Sequence, residues 1–280
     1  MFVATFCFLT HFTLTTGKVM FYATEFQALE DYSSVSTYQG FARSSLVSAL
    51  LLLCYTQSVY KRIMIVMMSI FVLFFLGARS ELYGFVFLLT MFLMAFSNKS
   101  LLRLVLSIGL LAAIAFIVVS NFEWLSESRQ FEIMNLSQST SMVGRLEFQE
   151  VGLGQLADNP VFGFFGGHIV DTGSVGGYVH NALSAWLAFG ILGFVVYMSL
   201  TVVATLNSLF FFVKYRTLSS HWTFAFMVNC FCLLMMITSK SVYWILPGLG
   251  WGLYINAMVR QNSEKNVHLG NTLKLFVEPN

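Results

Sequence analysis

The sequence predicts an all-α fold, a polytopic transmembrane helix bundle with one large loop on the outer side that contains a short amphipathic helix. Hydrophobic residues make up 57% of the 280-residue chain and charged residues 10%, and the mean hydropathy is +0.75. Apolar runs of roughly membrane-spanning length recur along the chain, and a long polar stretch interrupts them. This composition excludes an ordinary soluble domain. The net charge of +2 comes without a basic cluster, which argues against nucleic acid as a partner.

The amino-terminal part, residues 1–120, is predicted to hold five transmembrane helices. The apolar runs that predict them cover residues 1–16, 44–60, 63–76, 82–96 and 101–120. The first run is short for a full crossing, which suggests a chain that begins within a longer element. Residues 17–43 are polar and are predicted to form a loop.

Residues 121–180 are predicted to form the large outer loop. Its second half begins with apolar residues at roughly helical spacing, which predicts an amphipathic helix over Val143, Leu146, Val151, Leu153 and Leu156. The sequence Asp158-Asn159-Pro160 is expected to end that helix. A glycine-rich stretch follows, in an arrangement that suits a mobile loop over a site, until an apolar helix begins at His180-Asn181.

The carboxy-terminal part is predicted to contribute three crossings within residues 181–259, followed by a polar cytoplasmic tail at 260–280. The apolar runs cover residues 182–213, 222–238 and 242–259, which gives eight crossings in all. The first of these runs is too long for one straight crossing. Residues 181–189 are therefore expected to lie along the membrane interface, with the true crossing starting at Gly190 and Gly193.

The distribution of charge predicts the orientation. One face of this topology carries nine cations and two acids, and the opposite face carries six cations and eleven acids. The positive-inside rule makes the first face cytoplasmic. With an even number of crossings both termini are then cytoplasmic, and the large loop lies outside.

Four of the six cations on the acidic outer face are candidates for a role there, because their position opposes the positive-inside bias: Arg43, Arg79, Arg145 and Lys240. If they converge, they form a cationic pocket at the outer lipid–water boundary, where the diphosphate of a polyprenyl-linked sugar would lie. Guanidinium groups suit phosphate oxygens because they stay charged and donate paired hydrogen bonds. The alternative is that each is a membrane anchor or an ion-pair partner of Glu81, Glu147 or Glu150.

His180 is the candidate for proton transfer, because imidazole titrates near neutral pH and the residue stands where the glycine-rich loop meets a helix. The alternative for His180 is a helix cap or an interface anchor. His168, flanked by glycine, is the weaker candidate. Cys7, Cys54, Cys230 and Cys232 all lie in apolar runs without metal-ligand spacing, so neither a metal nor a cofactor is predicted.

Five short motifs occur in an order that resembles the bacterial O-antigen ligase and O-antigen polymerase family. They are LGARS at 76–80, GR at 144–145, NPVFG at 159–163, HN at 180–181 and FGILG at 189–193. The resemblance covers about residues 40–197. This chain departs from the family in having fewer predicted spans and in carrying Glu81 after Arg79-Ser80, where Glu81 could pair with Arg79.

The resemblance implies a metal-independent glycosyltransferase of the bacterial inner membrane, with its large loop in the periplasm. Such an enzyme transfers glycan from an undecaprenyl-diphosphate-linked oligosaccharide to an acceptor glycan, alongside other glycan-assembly proteins. Arg79 and Arg145 would hold the leaving diphosphate, with Lys240 and Arg43 in the same pocket, and His180 would assist the acceptor hydroxyl.

Three alternatives remain beside the favoured reading, an O-antigen polymerase of lipopolysaccharide biosynthesis. One is an O-antigen ligase that attaches the glycan to lipid A–core. The second is a transporter of the lipid-linked glycan, which would be expected to show internal repeats. The third is a shortened, non-catalytic membrane partner.

Overall fold

The computed structural model of the protein describes residues 2–16, 36–97, 140–173, 177–215 and 220–277. All regular structure in these ranges is helical. The helices are α1 (Phe2–Thr16), α2 (Ser36–Tyr55), α3 (Val59–Phe75), α4 (Arg79–Ser97), α5 (Thr140–Asp158), α6 (Gly167–Thr172), α7 (Leu183–Tyr215), α8 (Ser220–Thr238) and α9 (Leu246–Val277).

Among the described helices, α7 and α8 are long and apolar enough to cross a membrane, judged by length and composition. Helices cover the described residues of the apolar runs at 1–16, 82–96 and 222–238, and all but one residue of the runs at 63–76 and 182–213. The run at 101–120 lies outside the described residues. The amphipathic helix predicted in the outer loop is α5, and it ends at Asp158, where the Asp-Asn-Pro sequence predicts its end.

Several boundaries differ from the prediction. In the run at 44–60 the first helix ends at Tyr55 and the next begins at Val59, and the helix in the run at 242–259 begins at Leu246. Helix α2 begins at Ser36, inside the predicted loop at 17–43, because polar side chains of its first turns find partners within the protein. Helix α9 continues to Val277, through the predicted tail. No proline lies between Arg260 and Val277, so nothing in the sequence forces the helix to stop there. The glycine-rich stretch contains α6, which Gly166 and Gly173 bracket in left-handed conformations.

Helix α8 lies at the centre of the described bundle and packs against α2, α4, α7 and α9. Every residue from Trp222 to Asn229 is buried. Its Phe231 ring crosses α4 at Gly84, where any β-carbon would collide with the ring. The close approach of α4 to α8, which positions the start of α4, therefore requires glycine.

A polar contact joins α8 to α9 inside the bundle. The Asn229 amide nitrogen donates to the carbonyl oxygens of Ala225 and Gly250, both at 2.8 Å. A β-carbon at Gly250 would lie 2.6 Å from the Asn229 amide oxygen, so this contact also depends on glycine. The bond from the Asn229 amide nitrogen to Gly250 helps to fix the relative positions of the two helices.

Helix α7 is broken at Gly190, where the backbone has φ +70° and ψ −177°. The break occurs at the residue where the sequence predicts the true crossing to start. The turn at 161–163 packs into it, since the Ile191 amide donates to the Val161 carbonyl (3.2 Å) and the Phe164 amide to that of Leu187 (2.6 Å). The NPVFG and FGILG motifs are thus in direct contact.

Candidate functional site

A buried carboxylate lies between two cations where the first turns of α2 and α4 meet the α8–α9 connection. The Glu81 side chain is 2% exposed, and its Oε1 lies 3.0 Å from Lys240 Nζ and 3.5 Å from Arg43 Nε. Burial strengthens these attractions because little water screens them. We call Arg43, Arg79, Arg145 and Lys240 the cation cluster.

Gln39 joins the same two cations from the other side. Its amide oxygen accepts hydrogen bonds from Arg43 Nη2 at 3.0 Å and from Lys240 Nζ at 3.3 Å. Its amide nitrogen donates to the Tyr38 hydroxyl at 3.1 Å. Gln39 and Arg43 are four residues apart and therefore lie on one face of α2.

The turn before α4 places Glu81 in this position. Gly77 has φ +67°, which glycine adopts readily, and the chain reverses there between α3 and α4. Glu81 then stands in the first turn of α4. The positive end of the helix dipole favours a carboxylate at that place.

Lys240 is held by the turn that ends α8. The backbone amides of Ser239 and Lys240 both donate to the Met235 carbonyl at 2.8 Å. Two residues later, the Val242 amide donates to Ser184 Oγ at 2.7 Å. The same hydroxyl donates to the Asn181 carbonyl at 2.7 Å, so Ser184 connects the Lys240 turn to the start of α7.

Arg145 of α5 joins the cluster through its charge interactions. Burial lowers its pKa, and the neighbouring charge of Arg79 lowers it further, while Tyr38, Glu81 and Tyr178 act in the opposite direction. Like charges are therefore held close together in a partly desolvated place. Such an arrangement favours a bound anion.

His180 lies beside the cluster. Burial lowers its pKa from 6.5 to about 4, and the charges of Arg145 and Lys240 contribute to the lowering. The imidazole is thus neutral at neutral pH and has a lone pair to accept a proton. Asn181, its neighbour, caps α7 by accepting the Leu183 amide at 2.9 Å.

Aromatic rings extend from His180 along the outer loop. The Tyr178 ring lies 4.8 Å from that of His180 and 5.7 Å from that of Tyr243. His168, the weaker histidine candidate, lies 5.4 Å from Tyr243 within this group of rings. Tyr178 and His168 come from the predicted outer loop and Tyr243 from the α8–α9 connection, so these rings surround one side of His180.

The structure thus gathers the predicted residues. Arg43 and Lys240 contact Glu81. The charges of Arg79 and Glu81 act on Arg145. Those of Arg145 and Lys240 act on His180. These charged groups are four cations and one carboxylate, an excess of three positive charges. The arrangement can bind a multiply charged anion next to a neutral imidazole. The roles assigned to these residues stay predictions.

Sequence reasoning missed Gln39, Tyr178 and Tyr243. It considered Glu81 as a partner for Arg79 and, as the alternative to a diphosphate site, for each of the other cations. The structure places the Glu81 carboxylate against Arg43 and Lys240. The four-residue spacing of Gln39 and Arg43 would have indicated their contact if α2 had been predicted to begin early enough.

In the parts of the chain that the structure describes, no three histidine, cysteine or carboxylate side chains form a group that could hold a metal ion. The four cysteines are free thiols. Comparison with protein-family models and with curated proteins finds no match to this chain.

Proposed function

We propose that this chain is a metal-independent glycosyltransferase that acts on undecaprenyl-diphosphate-linked glycan at the periplasmic face of the bacterial inner membrane. The favoured activity is polymerisation of polysaccharide repeat units, with O-antigen ligation as the alternative. One observation carries the proposal: Arg43 and Lys240 contact the buried Glu81 carboxylate, and the charges of Arg145 and Lys240 act on a neutral His180 beside it.

The charge of the site matches that of the donor. A diphosphate diester carries about two negative charges, and guanidinium groups bind its oxygens through paired hydrogen bonds. Charge increases on the diphosphate as its bond to the sugar breaks. Cations already in place stabilise that developing charge and lower the barrier to reaction.

In the proposed reaction, an acceptor hydroxyl attacks the anomeric carbon of the donor sugar. The new glycosidic C–O bond forms as the C–O bond to the diphosphate breaks, and the bonding electron pair leaves with the diphosphate. Neutral His180 accepts the hydroxyl proton. The cation cluster holds the departing diphosphate.

Donor binding also adjusts the base. Arg145 and Lys240 lower the pKa of His180. A bound diphosphate offsets those positive charges, so the pKa of His180 rises and the imidazole becomes a stronger base. The site therefore has its most effective base when the donor is present.

Deletion of the gene tests the proposal through the surface lipopolysaccharide on a gel. Collapse of the ladder to core plus one repeat identifies a polymerase. Loss of all O-antigen, with accumulation of lipid-linked polymer, identifies a ligase. An unchanged ladder contradicts both activities.

Complementation with Arg145→Ala and with His180→Ala then tests the site. Each is expected to fail to restore the ladder, because the first removes a diphosphate cation and the second the base. Glu150→Ala, at an exposed position of the same helix as Arg145, is the matched control and is expected to restore it. Full rescue by both site variants would rule out the chemistry and favour a non-catalytic membrane partner.

A further inference from the structure

A groove opens at the end of the bundle opposite the cation cluster. It has a volume of about 480 Å³ and lies between the end of α2, the start of α8 and the first half of α9. Its apolar wall includes Leu51, Leu249 and Leu253. Gly248 and Gly252, one turn apart on α9, leave the groove open, since a β-carbon at either would meet no protein atom within 4 Å.

Three polar side chains form a hydrogen-bonded chain at the mouth of this groove. The Tyr55 hydroxyl lies 2.5 Å from His221 Nδ1, and Arg260 Nη1 lies 2.9 Å from His221 Nε2. They come from α2, α8 and α9, so all three helices that line the groove contribute one.

The chemistry of arginine fixes the direction of these hydrogen bonds. A guanidinium only donates, so His221 Nε2 must accept and the imidazole is neutral. Its proton then lies on Nδ1 and is donated to the Tyr55 oxygen. The phenolic proton of Tyr55 remains available to another acceptor. The mouth of the groove thus presents a positive charge and an O–H donor, a combination that suits an anion.

We propose that this groove binds one anionic phospholipid of the membrane leaflet opposite the cation cluster. An acyl chain lies along the leucines and glycines of the groove, and the phosphate accepts hydrogen bonds from Arg260 and Tyr55. Positive charge at the mouth and apolar side chains along the groove match the two parts of such a lipid. The site shares no residue with the proposed glycosyltransferase site and does not depend on that activity.

The test is lipid retention by the full chain in nanodiscs of equal phosphatidylglycerol and phosphatidylcholine, extracted with mild detergent and weighed by native mass spectrometry. Wild type is expected to retain one phosphatidylglycerol in preference to phosphatidylcholine. Arg260→Gln is expected to lower that preference about tenfold, the size of a lost charge-assisted hydrogen bond. Tyr55→Phe is expected to lower it less.

Two further variants distinguish lipid binding in this groove from a general attraction between anionic lipid and the cations of the protein. Lys214→Gln removes a cation that lies over the rings of Phe210 and Tyr215, outside the groove lining, and is expected to leave the preference unchanged. Gly252→Leu fills the groove while it keeps Arg260, and is expected to abolish retention. The proposal is overturned if wild type shows no preference, if Lys214→Gln acts as strongly as Arg260→Gln, or if Gly252→Leu has no effect.

Discussion

The Glu81 carboxylate determines where two cations of the cluster lie. Burying a charge is costly unless a partner and hydrogen bonds compensate it, and Glu81 is buried against both Lys240 and Arg43. One carboxylate cannot neutralise the four cations. The residual positive charge is the property that makes this place a candidate for anion binding.

We expect Glu81→Gln to lower the free energy of unfolding by about 3 kcal/mol, because it leaves the largely buried Lys240 without its ion-pair partner. The same change raises the positive charge of the cluster, so inorganic pyrophosphate is expected to bind more tightly. Thermal unfolding in detergent and calorimetric titration measure the two effects.

Glu147→Gln, at an exposed position of α5, is the control and is expected to change neither quantity substantially. Weaker pyrophosphate binding by a folded Glu81→Gln protein would show that Glu81 acts other than as a counter-charge.

The pKa of His180 is about 4. Pyrophosphate is expected to raise this pKa, and so is Arg145→Gln, because each offsets or removes positive charge near the imidazole. Titration of the labelled histidine by NMR, assigned with His180→Asn, measures the pKa directly.

The same shift has a consequence for stability. The unfolded chain binds a proton at His180 near pH 6.5, and the folded chain only near pH 4. Between these values the unfolded state binds more protons, so this residue makes folding less favourable as pH falls through the window. His180→Asn is expected to reduce that dependence. A variant with the same pH dependence as wild type would contradict the shifted pKa.

At the scale of the helix, the break in α7 is the place where the turn at 161–163 packs against α7. Gly190 has a backbone conformation that is essentially restricted to glycine, and a β-carbon there would collide with the Val161 carbonyl. The turn at 161–163 packs into that break. The residues that lead to His180 are thus held against the start of the long apolar part of α7.

Gly190→Ala is therefore expected to destabilise the protein by about 3 kcal/mol, as measured by thermal unfolding in detergent. Gly154→Ala is the matched control, since a β-carbon at this exposed position of α5 meets no atom within 4 Å. It is expected to be neutral or to stabilise α5 by up to about 1 kcal/mol. Equal effects of the two changes would contradict the role of the break.

Hydropathy predicted the apolar helices well. It failed to predict helix where polar side chains form hydrogen bonds with one another. Residues 36–43 were predicted to belong to a loop because the stretch 17–43 is polar. Gln39 and Arg43 nevertheless have partners inside the fold. Such partners come from distant parts of the chain and leave no local signal. Gly190, by contrast, could be predicted because an apolar run that exceeds one crossing needs an interruption.

For the candidate site, the sequence predicted which cations to consider because they oppose the positive-inside bias. It also gave Glu81 as a possible ion-pair partner of each cation, and the structure bears this out for Arg43 and Lys240. Glu81 and Lys240 are far apart in sequence and meet through the packing of α4 against α8. Tyr243 was missed because it is distant in sequence from His180, whereas Tyr178, two residues from His180, was not considered. Their rings meet only when the outer loop folds over the α8–α9 connection.

At the scale of the whole molecule, the cation cluster and the groove with Arg260 lie at opposite ends of the bundle. The positive-inside rule predicts that the end with Arg260 is cytoplasmic. A cysteine introduced at Glu150 is then expected to react with an impermeant maleimide in intact spheroplasts, and one at Ser263 only after permeabilisation. Both require a background in which the four native cysteines are replaced. The reverse pattern would invert the orientation and remove the donor from the cation cluster.

The Ser184 hydroxyl bridges the strand of chain that carries His180 and the turn that carries Lys240. One hydroxyl therefore supports both segments. A displacement of the Lys240 turn is expected to be transmitted to the segment that carries His180, so the two side chains are mechanically coupled.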